Sequence, residues 1–486
     1  MLDIKKIREH PDAVRKGIAD KQLNIDIDAI RILDDERRNL SKETDDMKHR
    51  RNTVSRAISA KKRNRENADS EIRDMQELST KIKENDARLA SIQEDLSTRL
   101  LAVPNCPAPE VPIGKNEQDN VEVSSWGKIP EFAFEIKDHL DIAENLGMLD
   151  MKRGAKIAGS GFPLYTGWGA RLERALINFM LDLHITEHGY TEIFPPFLVH
   201  SDSATGTGQL PKLAEDMYYL REDDLWLIPT AEVPVTNMHR EEILSAKDLP
   251  LKYVAFSGCF RREAGSYGKD TRGLQRLHQF NKVEMVQFTH PDDSYRHWKA
   301  LTGHAEKVLR KLELPYRIME LCTGDLSFAA ARCRDIELWA PGSRKWLEVS
   351  SCSNFEDFQA RRAGIRFKDD KGVRYAHTIN GSGVATPRLM IALIENYQQE
   401  DGSLAVPAAL RNYLRNRPHL KRNYAEKGPE KYLHLSPCLS RKCFSGRAAD
   451  LLLLFYPAHA FLQPYDLRLG EMGPPGTAGN GPGQGA

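Results

Sequence analysis

Two heptad runs separated by a short polar turn restrict the first hundred residues more tightly than any other feature restricts the rest. From Ile30 the positions Ile30, Leu33, Arg37, Leu40, Thr44, Met47, Arg51, Val54 and Ile58 repeat at alternating spacings of three and four, and a second seam runs through Met75, Leu78, Ile82, Asn85, Leu89, Ile92 and Leu96. Such spacing keeps one stripe facing a partner helix. Because KKRNRENADS lies between the seams, the two helices are expected to fold back as an antiparallel coiled coil over about 30–97. At about 30 residues each helix would be roughly 45 Å long. Between Lys48 and Arg65 stand Lys48, Arg50, Arg51, Arg56, Lys61, Lys62, Arg63 and Arg65 with no Asp or Glu. The far end of the hairpin is therefore a positive tip. Taken alone, that pattern also describes a solvated face or a dimerisation rod.

With 486 residues, two or three domains are expected. Lys and Arg number 70 against 69 Asp and Glu, so any affinity for nucleic acid must come from local clustering. Seven cysteines are scattered without a CxxC pair, and the opening MLDIKKIREHPD has no apolar signal core. Those features predict a cytoplasmic protein without structural zinc. LLAVPNCPAPEVPIGKNEQDN, with four prolines, ends the helical region and reads as a linker over 104–125.

The stretch FRREAGSYGKDTRGLQRLHQFNKVEMVQF, from Phe260 to Phe288, reads as two strands joined by a glycine-rich, charged and mobile loop. Arg261, Glu263, Arg276 and Glu284 are expected on the strands, where a merely structural sheet would carry Val or Thr. Arg261 and Glu263, two apart, would then share a face. A guanidinium grips carboxylate or phosphate oxygens, and Phe280 offers a ring for a base. Singly, each charge would be an ordinary surface ion pair.

As a set they resemble motif 2 of the class II aminoacyl-tRNA synthetases, and within them the seryl-tRNA synthetase family. IPTAEVPVTN from Ile228, LCTGDLSFAAA from Leu321, LEVSSCSNFEDFQARR from Leu347 and HTINGSGVATPRLMIALIENYQQEDGS from His377 resemble the same family in the same order, over roughly residues 1 to 415. The resemblance implies an α+β fold: an antiparallel catalytic sheet flanked by helices, over 126–415, with the coiled-coil arm over 1–103. A helix from about Gly169 to Glu187, carrying Leu172, Leu176, Phe179, Met180 and Leu183, then leads into TEIFPPFLV, a strand interrupted by proline. This pair resembles motif 1 and implies a homodimer; a buried core helix is the plainer reading of the stripe.

The resemblance also implies the chemistry, which is ATP-dependent activation of L-serine and transfer to tRNA(Ser), with tRNA(Sec) as a further acceptor. Arg261 would bridge the serine carboxylate and the α-phosphate, with Arg262 and Glu263 beside it. Arg276 would take the γ-phosphate, Leu277 the base edge and Phe280 one adenine face. Arg388, from motif 3, would close over the other face, and Arg261 and Arg388 together would carry the catalysis. Glu348 and Ser351 would hold Mg²⁺, with Val349 and Ser350 completing the ATP-binding segment. Thr230 and Glu232 would receive the serine amino group, with Ala231 between them in the same serine-binding segment, Glu284 its hydroxyl, and Ser382 would complete the pocket. Arg50, Arg51, Arg56, Lys61, Lys62, Arg63 and Arg65 would meet the long variable arm of the tRNA, so the coiled coil serves RNA rather than dimerisation. Gly381 and Gly383 would let the backbone approach a ligand. Pro387, where the family more often has Gly, suits a first helical turn.

The same catalytic fold could serve an amino-acid:carrier-protein ligase, and a helical arm could belong to a non-catalytic RNA-binding scaffold. Against the first stands the arm, and against the second the joint presence of Arg261, Glu263, Glu284, Glu348 and Arg388. The segment 416–486 has no counterpart in the resemblance. Its LLLLFY is too short to cross a membrane, and its Gly/Pro-rich end predicts disorder.

Overall fold

The computed structural model describes residues 1–264 and 272–422. The glycine-rich cap at 265–271, with Gly265 and Gly268, and residues 423–486, with Cys438 and Cys443, lie outside the described residues.

Helices Ile27–Arg63 and Asp69–Leu101 form the antiparallel arm. Asp26 caps the first, its carboxylate accepting from the Ala29 amide at 2.9 Å, and the turn closes at Asn64. Ile30, Leu40, Thr44 and Ile58 bury against Ile82, Ile92 and Leu96, as the periodicity requires. The seam departs from the heptad near its root. Asp34, outside the expected stripe, is buried and accepts from Arg37 at 2.8 Å and Arg8 at 2.9 Å. Farther out, Lys48–Asp86 at 2.8 Å and Arg88–Glu36 at 2.5 Å fasten the two helices.

The rest of the described chain is built on one eight-stranded sheet. Its spatial order is Val121–Trp126, Tyr316–Glu320, Arg332–Ala340, Lys345–Asn354, His377–Ala385, Gln279–Thr289, Leu251–Phe260 and Thr191–Ile193. Every pairing is antiparallel except the last. Helices Gly167–Thr186, Ser294–Lys311 and Thr386–Asn396 cover one face. Side chains alternate across a strand, so Val283 and Met285 join that helical core while Phe280, Lys282 and Glu284 line the opposite face. The site occupies the face the helices leave open.

Several expectations change here. The strands of the hairpin end at Phe260 and resume at Gln279, so Arg261, Glu263 and Arg276 lie in the connecting loop rather than on strands. Glu263 adopts a left-handed conformation with φ 53°, which breaks the alternation on which a shared strand face depended. TEIFPPFLV is two separate short strands in different sheets, Thr191–Ile193 and Leu198–His200. The apolar stripe Leu172, Leu176, Phe179, Met180 and Leu183 is core. The last residues of the expected linker belong to the sheet, since Val121–Trp126 forms an edge strand against Tyr316–Glu320. Past residue 415 the chain still contributes to the core: His419–Leu420 pairs with Leu404–Ala405, and Leu420 is fully buried.

Candidate active site

The open face of the sheet forms a cleft of about 600 Å³. Its inner wall comes from neighbouring strands read on alternate residues: Lys282 and Glu284, then Asn380 and Ser382, then Ser351 and Ser353. Loops around Thr230 and Gln275 and the start of the last helix close the sides.

The inner end is polar and buried. Glu284, 2% exposed, pairs with Lys282 at 2.5 Å and accepts from the Thr230 hydroxyl at 3.3 Å. The Thr230 hydroxyl in turn accepts from the Glu232 amide at 3.1 Å. Glu232 accepts from Gln359 at 2.6 Å, and Gln359 is itself oriented by the Thr378 hydroxyl at 2.7 Å. Burial, reinforced by the neighbouring Glu284 charge, pushes the Glu232 carboxyl up to about 7. Two carboxylates share this recess with a single ammonium from Lys282, an arrangement that favours a ligand bringing a cation and hydrogen-bond donors.

Toward the mouth the cleft is lined by guanidiniums, each already partnered. Arg261 lies 5.1 Å from the centre of the Phe280 ring and donates to the Pro229 carbonyl at 3.4 Å. Arg276 pairs with Glu263. Arg388 donates to the Glu348 backbone carbonyl at 2.8 Å and to its carboxylate at 3.3 Å. Glu263 and Glu348 hold Arg276 and Arg388 in place and compensate them, so an incoming polyanion exchanges one acceptor for another there.

Oxygen donors collect beside Arg388. Asp335 faces Ser351 across the strand pair, and its carboxyl is held well above the usual range by burial and by the charge of Glu348. Both carboxylates and Ser351 also line an adjoining cavity of about 520 Å³. This hard-oxygen set fits Mg²⁺. Among the described residues no cluster of three or more His, Cys, Asp or Glu is placed to hold a metal by itself.

The structure thus brings together Thr230, Glu232, Arg261, Glu263, Arg276, Leu277, Phe280, Glu284, Glu348, Val349, Ser351, Ser382 and Arg388 on one cleft. It does not bring in three residues expected there. The Arg262 guanidinium turns away to the Met217 carbonyl, at 3.0 Å, and to the Tyr218 ring. Ser350 donates to the Ser382 carbonyl at 2.6 Å, and Ala231 packs in the core behind the wall. Gly381 and Gly383 have a packing reason instead of a ligand. A Cβ on Gly383 would meet His184 Nε2 at 2.5 Å, and one on Gly381 would meet Leu301 at 2.5 Å. Pro387 sits in the first turn, as expected of it. Lys282, Asp335, Gln359 and Asn380 were not anticipated. For Lys282 the signal was present, since it precedes Glu284 by two on a strand; for Asp335 it lay in the facing VSSCSN strand.

At the arm, Arg50, Arg56, Lys62, Arg63 and Arg65 are exposed near the turn, and Arg51 and Lys61 are half-buried, Lys61 pairing with Glu71.

Comparison with known proteins agrees with this division. Residues 1–107 match the seryl-tRNA synthetase N-terminal domain and residues 218–397 the tRNA synthetase class II core domain (G, H, P, S and T). The serine--tRNA ligase of Trichlorobacter lovleyi is 54% identical over 416 residues, covering 85% of this chain and 98% of that one. The chain belongs to the seryl-tRNA synthetase family. The serine--tRNA ligase of Chlorobium luteolum is 53% identical over 420 residues, covering 85% of this chain and 98% of its own. Among solved structures, seryl-tRNA synthetase from Pyrococcus horikoshii complexed with ATP aligns with a TM-score of 0.81 and 37% identity, over 87% of this chain and all of that one. The class II α+β architecture and the N-terminal helical arm are therefore those of the seryl-tRNA synthetases. Among the described residues no helix is long and apolar enough to cross a membrane.

Proposed function

We propose that this chain joins L-serine to ATP as seryl-adenylate and transfers the seryl group to tRNA(Ser). The observation that carries the proposal is the inner recess, where Glu232 and Glu284 converge beside Thr230 within reach of the Arg261–Phe280 platform. Serine carries an ammonium and a carboxylate on Cα and a hydroxyl on Cβ, so its two donor groups and its anionic group diverge from one centre. Glu232 and Thr230 receive the ammonium, Glu284 the hydroxyl, and Arg261 the carboxylate. A buried carboxylate left without its hydroxyl partner makes alanine a poor substitute.

A serine carboxylate oxygen attacks the α-phosphorus, and pyrophosphate leaves. The terminal ribose hydroxyl of the tRNA then attacks the adenylate carbonyl, and AMP leaves. Neither step needs a nucleophilic side chain, because positioning and charge stabilisation supply the acceleration. Adenine stacks on the Phe280 face that Arg261 leaves open, with the Leu277 main chain at its edge, Val349 on the cleft wall and Arg388 above. Arg276 exchanges Glu263 for the γ-phosphate. Glu348, Ser351 and Asp335 would hold Mg²⁺, which would supply positive charge to offset that of the phosphates.

The exposed tip, Arg50 to Arg65, contacts RNA phosphates and so reads the shape of a long variable arm. tRNA(Sec) is a further candidate acceptor on the same argument. Phe194, 75% exposed beside Phe197 and Phe256, supports a homodimer in which a second copy covers this face. The described cysteines are buried and unpaired, in keeping with the reducing cytoplasm.

Serine-dependent ATP–pyrophosphate exchange followed by charging of total tRNA tests the reading. Exchange with charging is expected. Exchange without charging would favour a carrier ligase, and neither would favour an RNA-binding scaffold.

A further inference from the structure

The root of the arm is not a hinge on which the coiled coil hangs. Leu2, Ile7, Val14 and Ile18 from the N-terminal helices, with Leu96, Leu100 and Val103, share one apolar cluster with Leu326, Ala329, Ala330 and Phe355 of the catalytic body. Within that contact runs a strap, residues 327–331, whose Ser327, Phe328 and Ala329 line the cleft.

Each backbone carbonyl of the strap is taken up by a donor from the first 108 residues. Lys21 Nζ donates to Ser327 O at 2.8 Å, to Ala330 O at 2.7 Å and, more distantly, to Phe328 O at 3.4 Å. The Asn105 amide N–H donates to Phe328 O at 3.0 Å, and its side chain to Ala329 O at 3.0 Å and Phe355 O at 2.8 Å. The Ala108 amide takes Ala331 O at 2.9 Å. Both Lys21 and Asn105 are buried, at 7% and 3% exposure. Buried carbonyls without donors are costly, so the strap keeps this shape only while its donors are in place. A lysine is rarely buried without a task, and this one has carbonyls as its hydrogen-bond partners.

Arg362 repeats the device on the next stretch of wall. Its guanidinium donates to Leu101 O, at the end of the arm, at 2.7 Å and to Thr205 O and Leu210 O at 3.2 Å each. Those two carbonyls bracket Thr207, Gly208 and Gln209, which also line the cleft.

We propose that Lys21 is a positioning residue for amino-acid activation: from the arm root it fixes the strap that forms one wall of the cleft. The inference rests on the proposed serine-activating function. It makes the root, unlike the distal arm, part of the activation site. Displacing a wall by about an ångström is enough to cost about a hundredfold in rate.

The test uses the full chain with Lys21→Met, Lys21→Arg and Asn105→Ala. The rate of serine-dependent exchange is measured per active site, counted from the burst of adenylate, so that misfolded protein does not enter the rate. Lys21→Met is expected to lower the exchange kcat by about ten- to a hundredfold, with charging falling by the same factor. Faster deuterium uptake should be confined to peptides spanning the strap. Lys21→Arg, which keeps N–H donors on a long side chain, should recover most of the rate, and Asn105→Ala should show a smaller loss with the same signature. If Lys21→Met does not fold, the other two variants carry the test. An unchanged kcat per active site in variants with a lowered melting temperature would overturn the proposal, leaving Lys21 a stability residue. Loss of charging with exchange intact would overturn it too, making the root a mount for the arm alone. A wild-type chain without serine-dependent exchange would instead defeat the underlying functional reading.

Discussion

The arm and the cleft are both dense in charge, and they use it in opposite ways. On the arm, apart from those of buried Asp34, the pairs stand in water: Arg38–Asp35, at 3.4 Å, has side chains 52% and 61% exposed. In the cleft Lys282–Glu284 sits at 2.5 Å with 10% and 2% exposed. An exposed pair contributes about 0–1 kcal/mol and is screened by salt, so no single one decides anything. A desolvated pair is weak evidence for stability but fixes its partners in place, and removing one member leaves an uncompensated charge. Redundant, additive contacts therefore belong to the arm, and individually decisive ones to the cleft.

The sharpest way to break that contrast is to cut between the two. Lys48–Asp86 and Asn85–Met47 set the helix pairing, so excising 45–87 and closing with a short turn shortens the arm while keeping the buried root. Losing the basic tip should lower tRNA charging by about a thousandfold, the order carried by a cluster of phosphate contacts. Exchange should stay within about twofold. Comparable loss of both activities in a folded variant would show that the distal arm also serves the cleft.

Within the cleft, Glu284→Gln keeps the shape and removes the ionised acceptor. A charge-assisted hydrogen bond of about 1.5–3 kcal/mol is lost, so the serine KM should rise by about ten- to a hundredfold while the ATP KM moves little. The Lys282 contact supplies the competing account. If Glu284 serves only to compensate Lys282, the melting temperature falls and both KM values shift alike.

Glu232 gives the comparison a pH axis. Burial and the Glu284 charge push its carboxyl up to about 7, whereas a serine ammonium held as proposed would need it ionised. Serine kcat/KM should fall about tenfold per pH unit below about 7, and Glu232→Gln should remove this acid limb. The stability sign is opposite. A carboxyl raised in the folded state contributes stability that is fully present below its unfolded value of 4.5 and is lost as pH rises through about 7. Melting curves across that window should therefore fall with pH, and less so in Glu232→Gln. An acid limb that survives in Glu232→Gln would assign the titration elsewhere.

The smallest effect is expected from one tip residue. Arg56→Ala should weaken tRNA binding a few-fold, independently of nucleotide sequence, and reduce the salt slope by about one. A loss as large as that of Glu284→Gln would mean that the tip also has decisive residues.

What the sequence carried was local and periodic. A 3.5-residue repeat already states which helical face is buried, and alternation around Val283 to Met285 states which strand residues face together, because both periods are fixed by backbone geometry. The family segments added which residues share a cleft. That reasoning failed where the period stopped: Arg261, Glu263 and Arg276 passed from strand to loop, and the guanidinium of Arg262 turned away from its neighbour's cleft. It also had no means of finding partners far apart in the chain. Asp34 broke the heptad because Arg8 lies beside it, and the end of the expected linker, past its prolines, became the start of an edge strand because Tyr316–Glu320 offered a free ladder. Lys21 meets Ser327 across 306 residues, and nothing within either segment signals the other. Only the closed tertiary structure decides such contacts, since a buried amine or carbonyl must find its partner wherever packing leaves one, whatever the distance along the chain.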